Sequence, residues 1–175
     1  MSSIDRPKVA PVDALGSEIQ AALREDKARG GKLLWSYSRG GFFEFDGYCA
    51  VASSAYFFLA GEAAADLDPA AGADKVDWEA AGQAALASGL QPMQLTLRQR
   101  WPHHGESRHW WIARPSEGVV VDLTIGPADR PDRDYPYERG RRRGFMQHGY
   151  RRPNRTRALV LIEAVKRARV SPGGR

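Results

Sequence analysis

The chain has 175 residues, 42% of them hydrophobic and 27% charged, which fits one domain with a core of its own. No run approaches the ~20 apolar residues that would span a bilayer, and residues 1–11 lack the apolar stretch of a secretory leader, so no membrane partner is expected. The single cysteine excludes an internal disulfide and suits the reducing cytoplasm, the expected location.

Charge is distributed unevenly. The formal net charge is +5, and ten arginines stand between Arg130 and Arg157 against only Asp132, Asp134 and Glu138. Such a stretch can attract phosphate or an acidic protein surface. No recognised DNA- or RNA-binding motif accompanies it, and a solvated basic face is the plainer reading.

In chain order, residues 1–11 contain Pro7 and Pro11 with little apolar periodicity and read as a flexible arm. Residues 12–170 read as a single domain and residues 171–175 as a disordered tail. Asp13 is a candidate N-cap for a helix carrying Leu15, Ile19 and Leu23, ended by Gly30 and Gly31. Residues 33–45 mix aromatics with Gly40 and Gly41 and read as an irregular lead-in. Residues 47–61 then form a run that is apolar on nearly every side, as a central helix would be, with Gly47 making the turn in and Gly61 the stop. Cys49 falls at its very start. Residues 63–73, alanine-rich with Pro69 and Gly72, read as a flexible insertion, and residues 76–88 as a short amphipathic helix closed by Gly89.

The period then changes. Residues 92–99 alternate, with Met93, Leu95 and Leu97 on one side, as a half-buried strand does. Residues 109–114 and 119–124 read as a hairpin joined by Pro115-Ser116-Glu117-Gly118, which is turn chemistry. A Pro-, Tyr- and Arg-rich loop follows to Gly149. Asn154 is a candidate cap for a last helix bearing Leu159, Ile162 and Val165.

Three residues stand where a thiol enzyme needs them. Backbone N–H dipoles at a helix start favour a thiolate at Cys49. An imidazole can take the thiol proton and later hand it to a leaving group, and a carboxylate on its other nitrogen fixes its orientation. His109 and Asp122 lie seven residues before and six after the turn at Ser116, so the hairpin sets them almost opposite, facing the helix that bears Cys49. Taken singly, a cysteine in an apolar helix is more often inert packing, His109 a half-buried histidine and Asp122 a turn cap. Their conjunction points to chemistry.

Gly-Tyr-Cys at a helix start, His-Trp-Trp on a strand and Val-Val-Asp-Leu-Thr on the next resemble the papain-like/transglutaminase-like superfamily. Together with Tyr137-Glu138-Arg139-Gly140-Arg141 and Gly144-Phe145, they are most similar to small uncharacterised phage and prophage proteins, over most of residues 35–165. The resemblance implies an α+β fold in which N-terminal helices and a central Cys-bearing helix pack on a small antiparallel sheet. It implies Cys49 as nucleophile, His109 as base and Asp122 as orienting carboxylate. No glutamine stands ahead of Cys49 to serve as papain's oxyanion donor, so that role falls to the Cys49 N–H and a partner, with Tyr48 and Trp35 as candidates. The residues expected to meet substrate are Trp35, Tyr48, Trp110 and Arg141.

His103, His104, His109 and His148 are potential zinc ligands, but structural zinc sites usually add cysteines, so no metal and no cofactor are expected. The leading expectation is a thiol enzyme acting on a protein or peptide amide through a thioester, as peptidase, deamidase or transglutaminase. The alternative is a non-catalytic protein that engages nucleic acid or an acidic partner through Arg130–Arg157.

Overall fold

Four helices and a five-stranded sheet form a mixed α+β architecture, seen here in a computed structural model that describes residues 7–30, 48–97, 107–124, 136–145, 149–153 and 155–170. The elements run β1 (Lys8–Val9), α1 (Ala14–Ala28), α2 (Cys49–Ala64), α3 (Trp78–Ala87), β2 (Gln91–Leu97), β3 (Ser107–Arg114), β4 (Val119–Val121), β5 (Arg141–Arg142) and α4 (Arg155–Val170). The sheet order is β1-β4-β3-β2-β5, antiparallel throughout except for the parallel pair β1 and β4.

Side chains at the helix starts explain where two of the helices begin. The Asp13 carboxylate accepts the Gly16 N–H at 2.7 Å and caps α1. Asp77 does the same for α3 by accepting the Ala80 N–H at 3.0 Å. The sequence 49–64 is apolar on every side because α2 is buried on every side, packed among α1, α3, α4 and the sheet. Residues 51–59 of it are all buried.

Gly61 does not stop α2, which continues to Ala64. Its role is close approach: a Cβ there would lie 1.9 Å from the Ala81 carbonyl oxygen of α3. The helix continues because Glu62, Ala63 and Ala64 are good helix formers. Glu62 is also buried against Lys166 of α4, whose Nζ donates to Glu62 Oε1. The expected flexible insertion is likewise tied down. Ala73 is buried, its N–H donates to Glu163 Oε2 at 2.9 Å, and its carbonyl accepts the Trp78 indole N–H at 2.8 Å.

Two further elements were not anticipated. Within the supposed arm, Lys8 and Val9 form β1, with the Lys8 N–H donating to the Gly118 carbonyl at 3.0 Å and the Ala10 N–H to Val120 at 2.8 Å. A strand as short as β4 leaves an unpaired edge, and this segment covers it. Within the arginine-rich loop, Arg141 and Arg142 pair with Gln94 and Met93 as the opposite edge strand.

The sheet has two buried faces. Trp110, Ile112, Val121 and Leu123 face the helices and join the main core with Phe57, Phe58, Phe145, Leu161 and Ile162. Leu95, Trp111, Val120 and Tyr137 form a smaller cluster on the other face. A polar chain pins α2 to the hairpin: Arg114 donates to the Tyr56 hydroxyl at 2.7 Å, and that hydroxyl donates to Asp13 at 2.6 Å. No described helix is long and apolar enough to cross a membrane.

Candidate active site

Cys49 is the first residue of α2 and is half-buried. Tyr48, just before it, provides no side-chain cap to the first amides of the helix. The Tyr48 hydroxyl instead donates to Asp26 at 2.9 Å, which anchors the start of α2 to α1. The Cys49 thiol lies 3.5 Å from the Arg108 carbonyl oxygen and so sits against the residue preceding His109 on β3.

The pairing of β3 with β4 matches Ile112 to Val121 and Ala113 to Val120. Continued outward, this register sets Trp111 opposite Asp122 and makes His109 and Asp122 diagonal neighbours, not the nearly opposite pair expected from the turn. Diagonal positions share a face, and the imidazole spans the gap: His109 Nε2 donates to Asp122 Oδ2 at 2.6 Å. The face they share is that of Trp111, Val120 and Tyr137, not the face that packs on the body of α2. Cys49 meets them from the first turn of α2, beside Arg108.

Asp122 is filled on both oxygens. Oδ1 accepts the Thr124 N–H at 3.1 Å and the Thr124 hydroxyl at 3.0 Å. Oδ2 accepts His109 and the Tyr137 hydroxyl at 2.9 Å. Burial alone would push this carboxyl up, but the His109 charge and these hydrogen bonds hold it below the usual carboxylate range. Burial alone would likewise depress His109. The Asp122 charge and hydrogen bond, with a smaller contribution from the Cys49 sulfur as acceptor, instead raise the imidazole to about 10.

At neutral pH the pair is therefore imidazolium and carboxylate. With Nε2 committed to Asp122, Nδ1 is the ring nitrogen left to meet another partner. The imidazole also stacks on Trp111, centroids 5.8 Å apart and 26° between planes, which limits its rotation. Gly140 makes that packing possible, since a Cβ on it would meet the indole ring at 2.2 Å.

The residues expected to touch substrate fare differently. Tyr48 is only 1% exposed and its hydroxyl is engaged with Asp26, so its side chain serves the core and is not an oxyanion donor. Trp110 is buried on the helix face and stacks on Phe145 at 5.6 Å, because alternation along β3 turns it away from His109. Arg141 is exposed on β5. Trp35, His103, His104 and His148 lie outside the described residues, as do residues 33–45 and Gly47, expected to lead into α2, and the Asn154 cap. Among the described residues no group of His, Cys, Asp and Glu side chains could hold a metal ion.

Thr124 and Tyr137 escaped the sequence reading as partners of Asp122. For Thr124 a signal existed, since Asp-x-Thr is a local turn pattern in which a carboxylate accepts from the residue two places on. Tyr137 is fifteen positions from Asp122 and gave none. No protein-family model, no curated protein and no solved structure matches the chain.

Proposed function

We propose that the protein is a cysteine-dependent acyl-transfer enzyme of papain-like or transglutaminase-like architecture, acting on an amide of a protein or peptide. The observation that carries this reading is the meeting of Cys49, at the start of α2 and 3.5 Å from the Arg108 carbonyl, with the neighbouring His109, whose imidazole is bound to the Asp122 carboxylate at 2.6 Å. A mixed α+β fold with the cysteine at the start of a buried helix is the architecture such an enzyme uses to present a thiolate.

The chemistry follows from the arrangement. The Cys49 thiolate attacks the amide carbonyl carbon and forms the C–S bond, and the charge that develops on the carbonyl oxygen is met by N–H groups at the start of α2. The C–N bond then breaks as the His109 imidazolium gives its Nδ1 proton to the departing amine. His109, now neutral, takes a proton from water or from an acceptor amine as that nucleophile attacks the thioester. The C–S bond breaks and Cys49 leaves as thiolate beside a restored imidazolium. Water gives hydrolysis; an amine gives transfer. Asp122 keeps the ring turned and stabilises its charge throughout.

Alkylation of the only cysteine tests this directly. Cys49 reacts with iodoacetamide at about pH 6 at least ~10-fold faster than a free thiol, and His109→Ala abolishes the advantage. Equal rates in the two proteins would remove the enzymatic reading.

One observation supports the second reading, a non-catalytic protein that engages nucleic acid or an acidic partner. Arg139, Arg141, Arg142 and Arg143 are all exposed on one edge of the sheet. On that reading, binding to a nucleic acid weakens steeply with added salt and is unchanged by Cys49→Ala. Absence of binding at low salt rules it out.

A further inference from the structure

Asp122 offers two oxygens, and the fold assigns them different work. Oδ1 is held locally by the backbone and hydroxyl of Thr124, two residues on. Oδ2 faces His109, and onto that same oxygen a remote residue, Tyr137, directs its hydroxyl. Tyr137 comes from a short 3-10 turn, Tyr137–Arg139, that leads into β5 and belongs to neither strand of the hairpin.

Packing alone would be served by a phenylalanine at this position. The ring is 8% exposed, lies edge-on to Trp111 with centroids 5.2 Å apart and planes at 79°, and joins Leu95 and Val120 in the smaller cluster. A hydroxyl in such a place costs desolvation that a benzyl group would not, and its donation to an ionised carboxylate is the interaction that offsets the cost.

We propose that Tyr137 is a positioning residue of this site: by donating to the carboxylate oxygen that receives His109, it fixes Asp122 and tempers the pull of that carboxylate on the imidazole. This rests on the reading of Cys49, His109 and Asp122 as the reactive group. Two donors on one oxygen share its charge. With Tyr137 present, His109 is bound firmly enough to stay oriented and loosely enough to release its proton to a leaving amine. Without the hydroxyl, the undivided charge of Oδ2 falls on His109 alone, and the imidazolium becomes a weaker acid. Among the described residues, the titratable groups that meet here are Cys49 from α2, His109 from β3, Asp122 following β4 and Tyr137 from the turn before β5.

The test is a nitrogen-15 NMR titration of His109, its signal assigned by loss in His109→Ala. Tyr137→Phe keeps the ring and moves the His109 midpoint upward by about half to one pH unit. In an Asp122→Asn background the same substitution leaves the midpoint unmoved, because the shared oxygen no longer carries a charge. A role in packing alone would move neither midpoint. Superposition of the wild-type and Tyr137→Phe curves within ~0.2 pH units overturns the proposal.

If Tyr137→Phe does not fold, the unmodified protein decides. The Tyr137 hydroxyl proton and the His109 Nε2 proton, aimed at one oxygen, give low-field resonances with mutual cross-relaxation, and loss of that contact overturns the proposal equally. The enzymatic reading fails separately: a Cys49 no faster than a free thiol in the unmodified protein removes it, while the His109 midpoint still reports on Tyr137.

Discussion

Replacing Asp122 with asparagine keeps the shape of the side chain and removes its charge, which isolates what the carboxylate does for His109. The imidazole is held at about 10 against burial that alone would push it below its ordinary 6.5, so Asp122, the larger cause, and Cys49 together account for more than three pH units. At ~1.36 kcal/mol per unit that is on the order of 5 kcal/mol in favour of the imidazolium. Removing it leaves a buried neutral ring at neutral pH; on the proposed mechanism, Cys49 then has no cation beside it and a leaving group has no proton waiting. The assay is the rate of iodoacetamide alkylation of Cys49 across the acid range. The expected result for Asp122→Asn is a fall of at least ~10-fold at about pH 6 relative to the unmodified protein, with the two rates converging above about pH 9. A fall of the same size at every pH would mean lost access or lost folding. Unchanged rates at about pH 6 would refute the reasoning outright, because then the carboxylate would not govern the charge that reaches the thiol.

Three other outcomes follow from the described contacts. The raised His109 contributes stability that is fully present below about 6.5 and drains away as pH rises toward about 10, whereas the lowered Asp122 contributes stability present above about 3.8 and lost on acidification. The melting temperature measured by circular dichroism therefore falls between about pH 7 and 10, and Asp122→Asn flattens that alkaline fall; an equal slope in both proteins would contradict the linkage. Glu62→Gln strands the Lys166 ammonium inside the helical layer at a cost of about 3–5 kcal/mol, or a drop of roughly 6–20 °C in thermal melts, and Glu62→Leu with Lys166→Met recovers most of it. Gly61→Ala forces α2 and α3 apart because its methyl would sit 1.9 Å from the Ala81 oxygen, and urea unfolding should show a loss of at least ~2 kcal/mol; a neutral result would mean the two helices can separate freely.

The elements that could be read from the sequence were those whose signal is local. Asp13 and the periodic Leu15, Ile19 and Leu23 mark α1 within one segment, and the uniformly apolar run after Cys49 marks a helix with no solvent side. The turn at residues 115–118, where Gly118 adopts φ 63°, folds the chain back on itself, which is why His109 and Asp122 could be paired from spacing alone. The register that makes the pair diagonal is set by the turn at residues 115–118, which pairs Arg114 with Val119, and spacing counted from Ser116 misses it by one position. What stayed hidden depends on partners distant in sequence. Lys8 and Val9 become a strand only because β4 offers an edge, and two residues carry no period of their own. Trp110 and Trp111 look alike as neighbours, yet one enters the helical core and the other lies beneath His109, a choice made by which face each element covers.

The pairing of β1 with β4 has a mechanical side. Val120 receives the Ala10 amide, and two positions further along the same strand direction stands Asp122. A protease cut, a bulky fusion or a bound protein that peeled away residues 8–10 would free the border of β4 and let the carboxylate drift from the ring it steadies. The setting of the His109–Asp122 pair is thus coupled to whether residues 8–10 remain zipped to the sheet.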